Sequence, residues 1–192
     1  MQNKLPMKDL VTGLLKDQVP QTYYYHDHLH TLYVLDKALE MGRYENCTEK
    51  EMELLTIAAL WHDTGYINIY TGHEEEGCRL ARQYLPGYGL SEDDINAVCG
   101  MIMATKIPQS PKNKLEAIIA DADLEYLGTE DAARQADLLF RELQSLDPEL
   151  TKERWDQMQI SFMEDHHYFT DFCKKHRAPM KSVYLSKLKE NM

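Results

Sequence analysis

The chain has 192 residues, 43% of them hydrophobic, which is enough for one globular domain with a real core. A net charge of -11 argues against binding to nucleic-acid polymers and means that an anionic substrate needs a local positive charge, such as a metal ion. Cys47, Cys78, Cys99 and Cys173 show no C-x-x-C spacing, which reads as reduced thiols in a cytosolic protein, and no stretch approaches a membrane span.

Few β-branched runs and no useful period-2 segment predict an all-α fold. Met7 to Asp17 is amphipathic, ends before Val19-Pro20 and lacks the apolar core of a signal peptide. A second helix is expected from about Tyr23 to Met41, stopped by Gly42. Thr48 and Glu51 form a capping box that opens a third helix. Its apolar run ends in His62-Asp63 and stops at Thr64-Gly65. Further helices are expected from about His73 to Leu85, from the cap Ser91 to about Thr105, and from Lys114 to Gly128. Lys106 to Asn113, with Pro108 and Pro111, is a loop. Thr129 is read as the cap of a helix to about Leu146. Thr151 opens a long segment, Lys152 to Arg177, with a break expected near Phe169-Thr170. Ala178 to Met192 is a last, more exposed helix.

The first chemical signal is His62-Asp63. A histidine and a carboxylate at the end of a buried helix are costly to bury without partners, and one cation satisfies both. The carbonyls of the helix C-terminus favour a cation too. On the second helix, Tyr33, Val34, Ala38 and Met41 mark the buried face by the helical period. His30 falls near the middle of that face, His26 beside it, and His28 away from it. His30 is the first candidate for a further ligand and His26 the next. A core histidine bonded to a backbone carbonyl is the competing reading. On the helix from Lys114, the stripe Leu115, Ile118, Ile119, Ala122 and Tyr126 puts Asp123 about 80° from its centre and Asp121 about 120° to the other side. Asp123 is therefore the inward carboxylate. Asp121 is expected on the solvated surface or in a salt bridge. His73 opens a helix ahead of Glu74, Glu75 and Glu76. Acids suit that position, and the histidine fits there as a neutral group or beside bound phosphate.

With His30, His62-Asp63 and Asp123 in place, the order H…HD…D on successive helices resembles the HD-domain superfamily of metal-dependent phosphohydrolases. The strings Y-H-D-H-L-H-T-L-Y-V-L (Tyr25 to Leu35), A-A-L-W-H-D-T-G-Y (Ala58 to Tyr66), H-E-E-E-G (His73 to Gly77), I-M-A-T-K (Ile102 to Lys106) and D-A-D-L-E-Y-L-G (Asp121 to Gly128) carry it. The resemblance implies one HD domain, with its core over about 23–128 and a helical extension over about 129–192. It implies that His30, His62, Asp63 and Asp123 bind a divalent metal. Two imidazoles and two carboxylates suit Mn, Fe, Co, Ni or Zn better than Ca or Mg. Two-metal members add two histidines before the last aspartate. His73 can fill the first place, but Met101 to Lys106 has no histidine for the second, so one ion per chain is expected.

The implied substrate is a small phosphate ester or nucleotide, attacked by a metal-activated water. Asp63 is expected to hold that water as well as the metal. His73 is expected to contact phosphate or transfer a proton. Lys106 can reach a phosphate as a point charge, and a solvated lysine is an equal reading. Tyr66 or Tyr126 can line the pocket against a base. Two other classes stay open: a metal-stabilised, non-catalytic nucleotide-sensing module, and a di-iron oxygenase, which needs more ligands than these.

Overall fold

The computed structural model describes residues 6–190 and is all-α, with no strand among the described residues. Helices α1 (Met7–Gln18), α2 (His28–Tyr44), α3 (Glu49–Trp61), α4 (His73–Tyr84), α5 (Glu92–Ala104) and α6 (Lys114–Asp123) enclose the main core. α3 packs against α2, α5 and α6 at its centre, and Leu55, Leu60 and Trp61 are removed from solvent there. Each such side chain contributes about 1.5–3 kcal/mol on burial, so the end of α3 is anchored where His62 and Asp63 follow. Helices α7 (Ala132–Leu146), α8 (Lys152–Asp165), α9 (Asp171–His176) and α10 (Ala178–Glu190) complete the chain. A second apolar cluster, which includes Tyr25, Leu124, Tyr126 and Met163, joins α7, α8 and α10 to the end of α6.

The capping box of α3 and the Ser91 cap of α5 form as expected. Other boundaries differ. α2 begins at His28, not near Tyr23, because the Asp27 carboxylate accepts the N–H groups of Leu29 (2.8 Å) and His30 (3.0 Å). Such a cap stabilises a helix start by about 1 kcal/mol, and it leaves His26 in the irregular segment before α2. α6 stops at Asp123, and Glu125–Gly128 is a separate 3-10 turn. Thr129 stands ahead of the helix: its hydroxyl donates to the Tyr126 carbonyl (2.8 Å) and accepts the Asp131 N–H (3.2 Å), while α7 starts at Ala132 with Asp131 as its N-cap. The break expected near Phe169-Thr170 is present and spans residues 166–170. Residues 191–192 of the expected last helix lie outside the described residues.

The break also overturns the placement of Asp121. This side chain is 0% exposed, not on a solvated face. Its carboxylate accepts the N–H groups of Phe169 (2.9 Å) and Thr170 (2.8 Å) and the Thr170 hydroxyl (2.6 Å). The flank that faces water on an isolated α6 is covered by residues 166–170, which the period of α6 alone cannot report.

Candidate metal centre

His62 follows the last turn of α3. Its Nδ1 lies 2.8 Å from the Ala59 carbonyl, which can only accept, so Nδ1 carries a proton and, in the neutral imidazole, Nε2 keeps its lone pair. Asp63 has φ -100° and ψ 5°, the bridge region in which many active-site residues sit. The Thr64 hydroxyl donates to the Trp61 carbonyl (2.8 Å) and turns the chain away. Gly65 then passes against the first residue of α4. A Cβ there would stand 1.8 Å from the His73 carbonyl oxygen, so glycine at this point is what lets His73 approach Asp63.

The first turn of α2 supplies His30 and the last residue of α6 supplies Asp123. His30, His62 and Asp123 each offer one ligand atom, all within 4.8 Å of one another, a group that can hold a metal ion. His30 Nε2 lies 3.1 Å from Asp123 Oδ1, and His62 Nε2 lies 3.7 Å from the same oxygen. Asp63 Oδ2 joins them, 3.1 Å from His62 Nε2 and 3.4 Å from His30 Nε2. His62 Nε2 and Asp63 Oδ2 are both buried without a hydrogen-bond partner. Buried polar atoms without partners are rare, and these two face one another's lone pairs. A cation between them satisfies both, so the residues present fit a divalent metal.

The electrostatics agree. Burial on its own would lower the pKa of His62, but the Asp63 and Asp123 carboxylates outweigh it and raise it well above the usual histidine value. Burial would raise both carboxyls. The imidazoles of His62 and His30 instead hold Asp63 far below the usual carboxylate range and bring Asp123 down to about 2. The site therefore favours positive charge, which a proton or a cation can supply.

A cavity of about 330 Å³ opens onto this cluster. Asp63, His73, Glu74 and Asp123 are part of its lining, and so are Leu139, Leu143, Trp155, Met158 and Phe162 of α7 and α8. His73 Nδ1 donates to the Tyr70 carbonyl (3.2 Å), and its Nε2 is 3.7 Å from Asp63 Oδ1. Lys106 is not among the lining residues. It is exposed and pairs with Glu75 of α4. His26 lines the cavity but is held elsewhere: its Nδ1 lies 2.5 Å from Glu142 Oε1.

Glu142 is the residue that sequence reasoning missed. It is 0% exposed, on α7, more than a hundred positions from His26 in sequence. The available signal was its place on the flank of the stripe Ala132, Ala136, Leu139, Leu143, where a solvated glutamate is out of place.

The family model of the HD domain matches residues 28–125, from the start of α2 to just past Asp123. The chain belongs to the HD domain family. Solved structures share the fold of this HD protein. One is a predicted HD superfamily hydrolase from an uncultured Thermotogales bacterium, with 22% identity, 96% of this chain and 88% of that one covered, and TM-score 0.63. Bacillus subtilis YpgQ, solved in complex with ADP, has 16% identity, 96% and 97% coverage and TM-score 0.62. A Lactobacillus plantarum protein has 15% identity, 96% coverage of both chains and TM-score 0.65. No curated protein matches this sequence. Among the described residues, no helix is long and apolar enough to cross a membrane.

Proposed function

We propose that this HD-domain protein is a metal-dependent phosphohydrolase acting on a small phosphate ester or nucleotide. The observation that carries the reading is the pair of unpartnered buried atoms, His62 Nε2 and Asp63 Oδ2, set among His30 and Asp123 beside a cavity. In this reading His30, His62, Asp63 and Asp123 hold one ion of Mn, Fe, Co, Ni or Zn. When bound, such an ion lowers the pKa of a water and polarises a phosphoryl oxygen.

The chain's own residues do the rest. Asp63 directs Oδ2 toward the two imidazoles and Oδ1 toward His73, which leaves Oδ1 to orient the attacking water. His73 has committed Nδ1–H to a carbonyl, so Nε2 is the atom that contacts the phosphoryl group or moves a proton. Lys106 must leave Glu75 to reach a phosphate, and the proposed reaction assigns it no step. The apolar side chains from α7 and α8 in the cavity wall suit the body of a nucleotide or another ester. The ADP bound to YpgQ supports nucleotides as the first class to try. The part that α7 plays in the cavity wall supports reading residues 1–192 as a single HD domain.

The test is phosphate release from a panel of nucleotides and phosphate esters by chelator-treated protein with Mn(II) restored. The reading expects turnover that depends on the ion and is absent in Asp63→Ala. Tight nucleotide binding with no release of phosphate points instead to a sensing module. Oxygen consumption with Fe(II) points to an oxygenase.

A further inference from the structure

The cavity wall contains neither lysine nor arginine, although Asp63, Glu74 and Asp123 line it and the whole chain carries a net charge of -11. Lys106 is committed to Glu75 outside. The side chains of the wall that can carry positive charge are His26 and His73. They are held differently. His73 gives its Nδ1–H to a neutral carbonyl, with the Glu74 and Asp63 carboxylates farther off at 3.6 and 3.7 Å. His26 gives Nδ1–H to the Glu142 carboxylate.

Glu142 is fully buried and has no ion-pair partner except His26 among the described residues. It also accepts the backbone N–H groups of Tyr25 (2.9 Å) and His26 (3.0 Å) and the Tyr70 hydroxyl (3.0 Å). An uncompensated buried charge is strongly destabilising, so the pair requires the imidazole to supply the opposite charge. On the far side of the imidazole, Nε2 lies 3.2 Å from the Tyr66 hydroxyl. The Tyr66 ring stacks on both histidines, with ring centres 4.3 Å from His26 and 3.9 Å from His73. The two imidazole centres are 6.2 Å apart.

We propose that His26, paired with Glu142, and the Tyr66 hydroxyl form an anion subsite beside the metal cluster that receives an oxygen of the substrate's phosphate. This rests on the phosphohydrolase reading and adds to it a positive charge held by a buried carboxylate, in a wall without lysine or arginine. A cationic Nε2–H donates either directly to a phosphate oxygen or to Tyr66, whose own O–H is then free to do so. Hydrogen bonds with an ionised donor and acceptor are about twice as strong as neutral ones.

The experiment is calorimetric titration of inorganic phosphate into Mn(II)-loaded full-length protein, comparing wild type with His26→Gln and Glu142→Gln. Gln at position 26 keeps a donor but removes the charge. Manganese content and a thermal melt are recorded for each protein. The subsite predicts phosphate affinity about tenfold or more weaker in both variants, with manganese content unchanged. If Glu142→Gln does not fold, His26→Gln decides alone. Wild-type affinity in His26→Gln overturns the subsite and leaves the phosphohydrolase reading intact. Loss of manganese from His26→Gln overturns it too, by making His26 a metal ligand. A wild-type protein that takes up manganese but binds no phosphate overturns the phosphohydrolase reading and the subsite with it.

Discussion

Asp121 and Asp123 stand two residues apart on α6, the first fully buried and the second partly exposed to the cavity, and they sit in opposite environments. Asp121 is saturated by the N–H groups of Phe169 and Thr170 and by the Thr170 hydroxyl. Asp123 faces the imidazoles of His30 and His62. Burial raises the Asp121 pKa despite its hydrogen bonds. At Asp123 burial acts the same way, but the histidines reverse it and bring the pKa to about 2. One aspartate ties a connecting segment to the bundle, and the other helps to make a hole for positive charge. What separates a structural carboxylate from a chemical one here is whether the protein supplies its donors or leaves its neighbours' lone pairs unmatched.

The largest effects are expected where the carboxylates face the imidazoles. His62→Ala and Asp63→Ala should each abolish tight binding of a divalent ion. Losses from outer-shell changes run at about 10–100-fold, and these should exceed that range. Elemental analysis of the purified variants decides, and full occupancy in either removes that residue from the site.

The two aspartates themselves give the next test. Asp123→Asn should lower metal affinity by at least about 100-fold, measured by competition with a chelator. Asp121→Asn should keep the ion but place an amide N–H₂ against buried donors. That should cost about 2–3 kcal/mol of stability, a fall in Tm of about 5–10 °C for a chain of this size. Loss of the ion in Asp121→Asn with retention in Asp123→Asn would falsify the assignment.

His73→Ala lies between these regions in effect. It should retain the ion while phosphate turnover falls about 10²–10⁴-fold, the usual contribution of a proton-transfer group. Loss of one metal equivalent would show His73 to be a ligand of a second ion.

The smallest effect is in pH dependence. In metal-free protein the raised His62 pKa contributes stability that is complete below about pH 6.5, the unfolded value, and is lost as pH rises through the folded one. The lowered pKa values of Asp63 and Asp123 contribute stability above about pH 4, lost as pH falls. Melts of metal-free protein should therefore lose stability from these groups at both ends, and bound metal should remove the loss at high pH by replacing the proton on His62. Metal affinity should rise with pH for the same reason. An affinity unchanged between about pH 6 and pH 8 would mean that the ion displaces no proton there.

Most of this was legible in local sequence. The period of α2 placed His30 inward, the end of an apolar run placed His62 and Asp63, and the period of α6 placed Asp123. Two of the failures, at Asp121 and Glu142, share one cause, which is chain arriving from far away. Asp121 is outward by the period of its own helix and is buried only because residues 166–170 cross it. His26 looked helical because its neighbours continue the α2 pattern, but Asp27 offers the first turn a better acceptor than another turn of helix would. Glu142 belongs to a helix that the sequence shows as an ordinary amphipathic one, and only the fold brings it to His26. Lys106 is close to the site in sequence, yet Glu75 on the first turn of α4 takes its charge at the surface.

The most direct measurement is a crystal structure of the Mn(II)-loaded protein with the ion located by anomalous scattering. The account predicts one peak per chain, ligated by His30, His62, Asp63 and Asp123. A peak elsewhere, a second peak at His73, or no peak among these four side chains would contradict it.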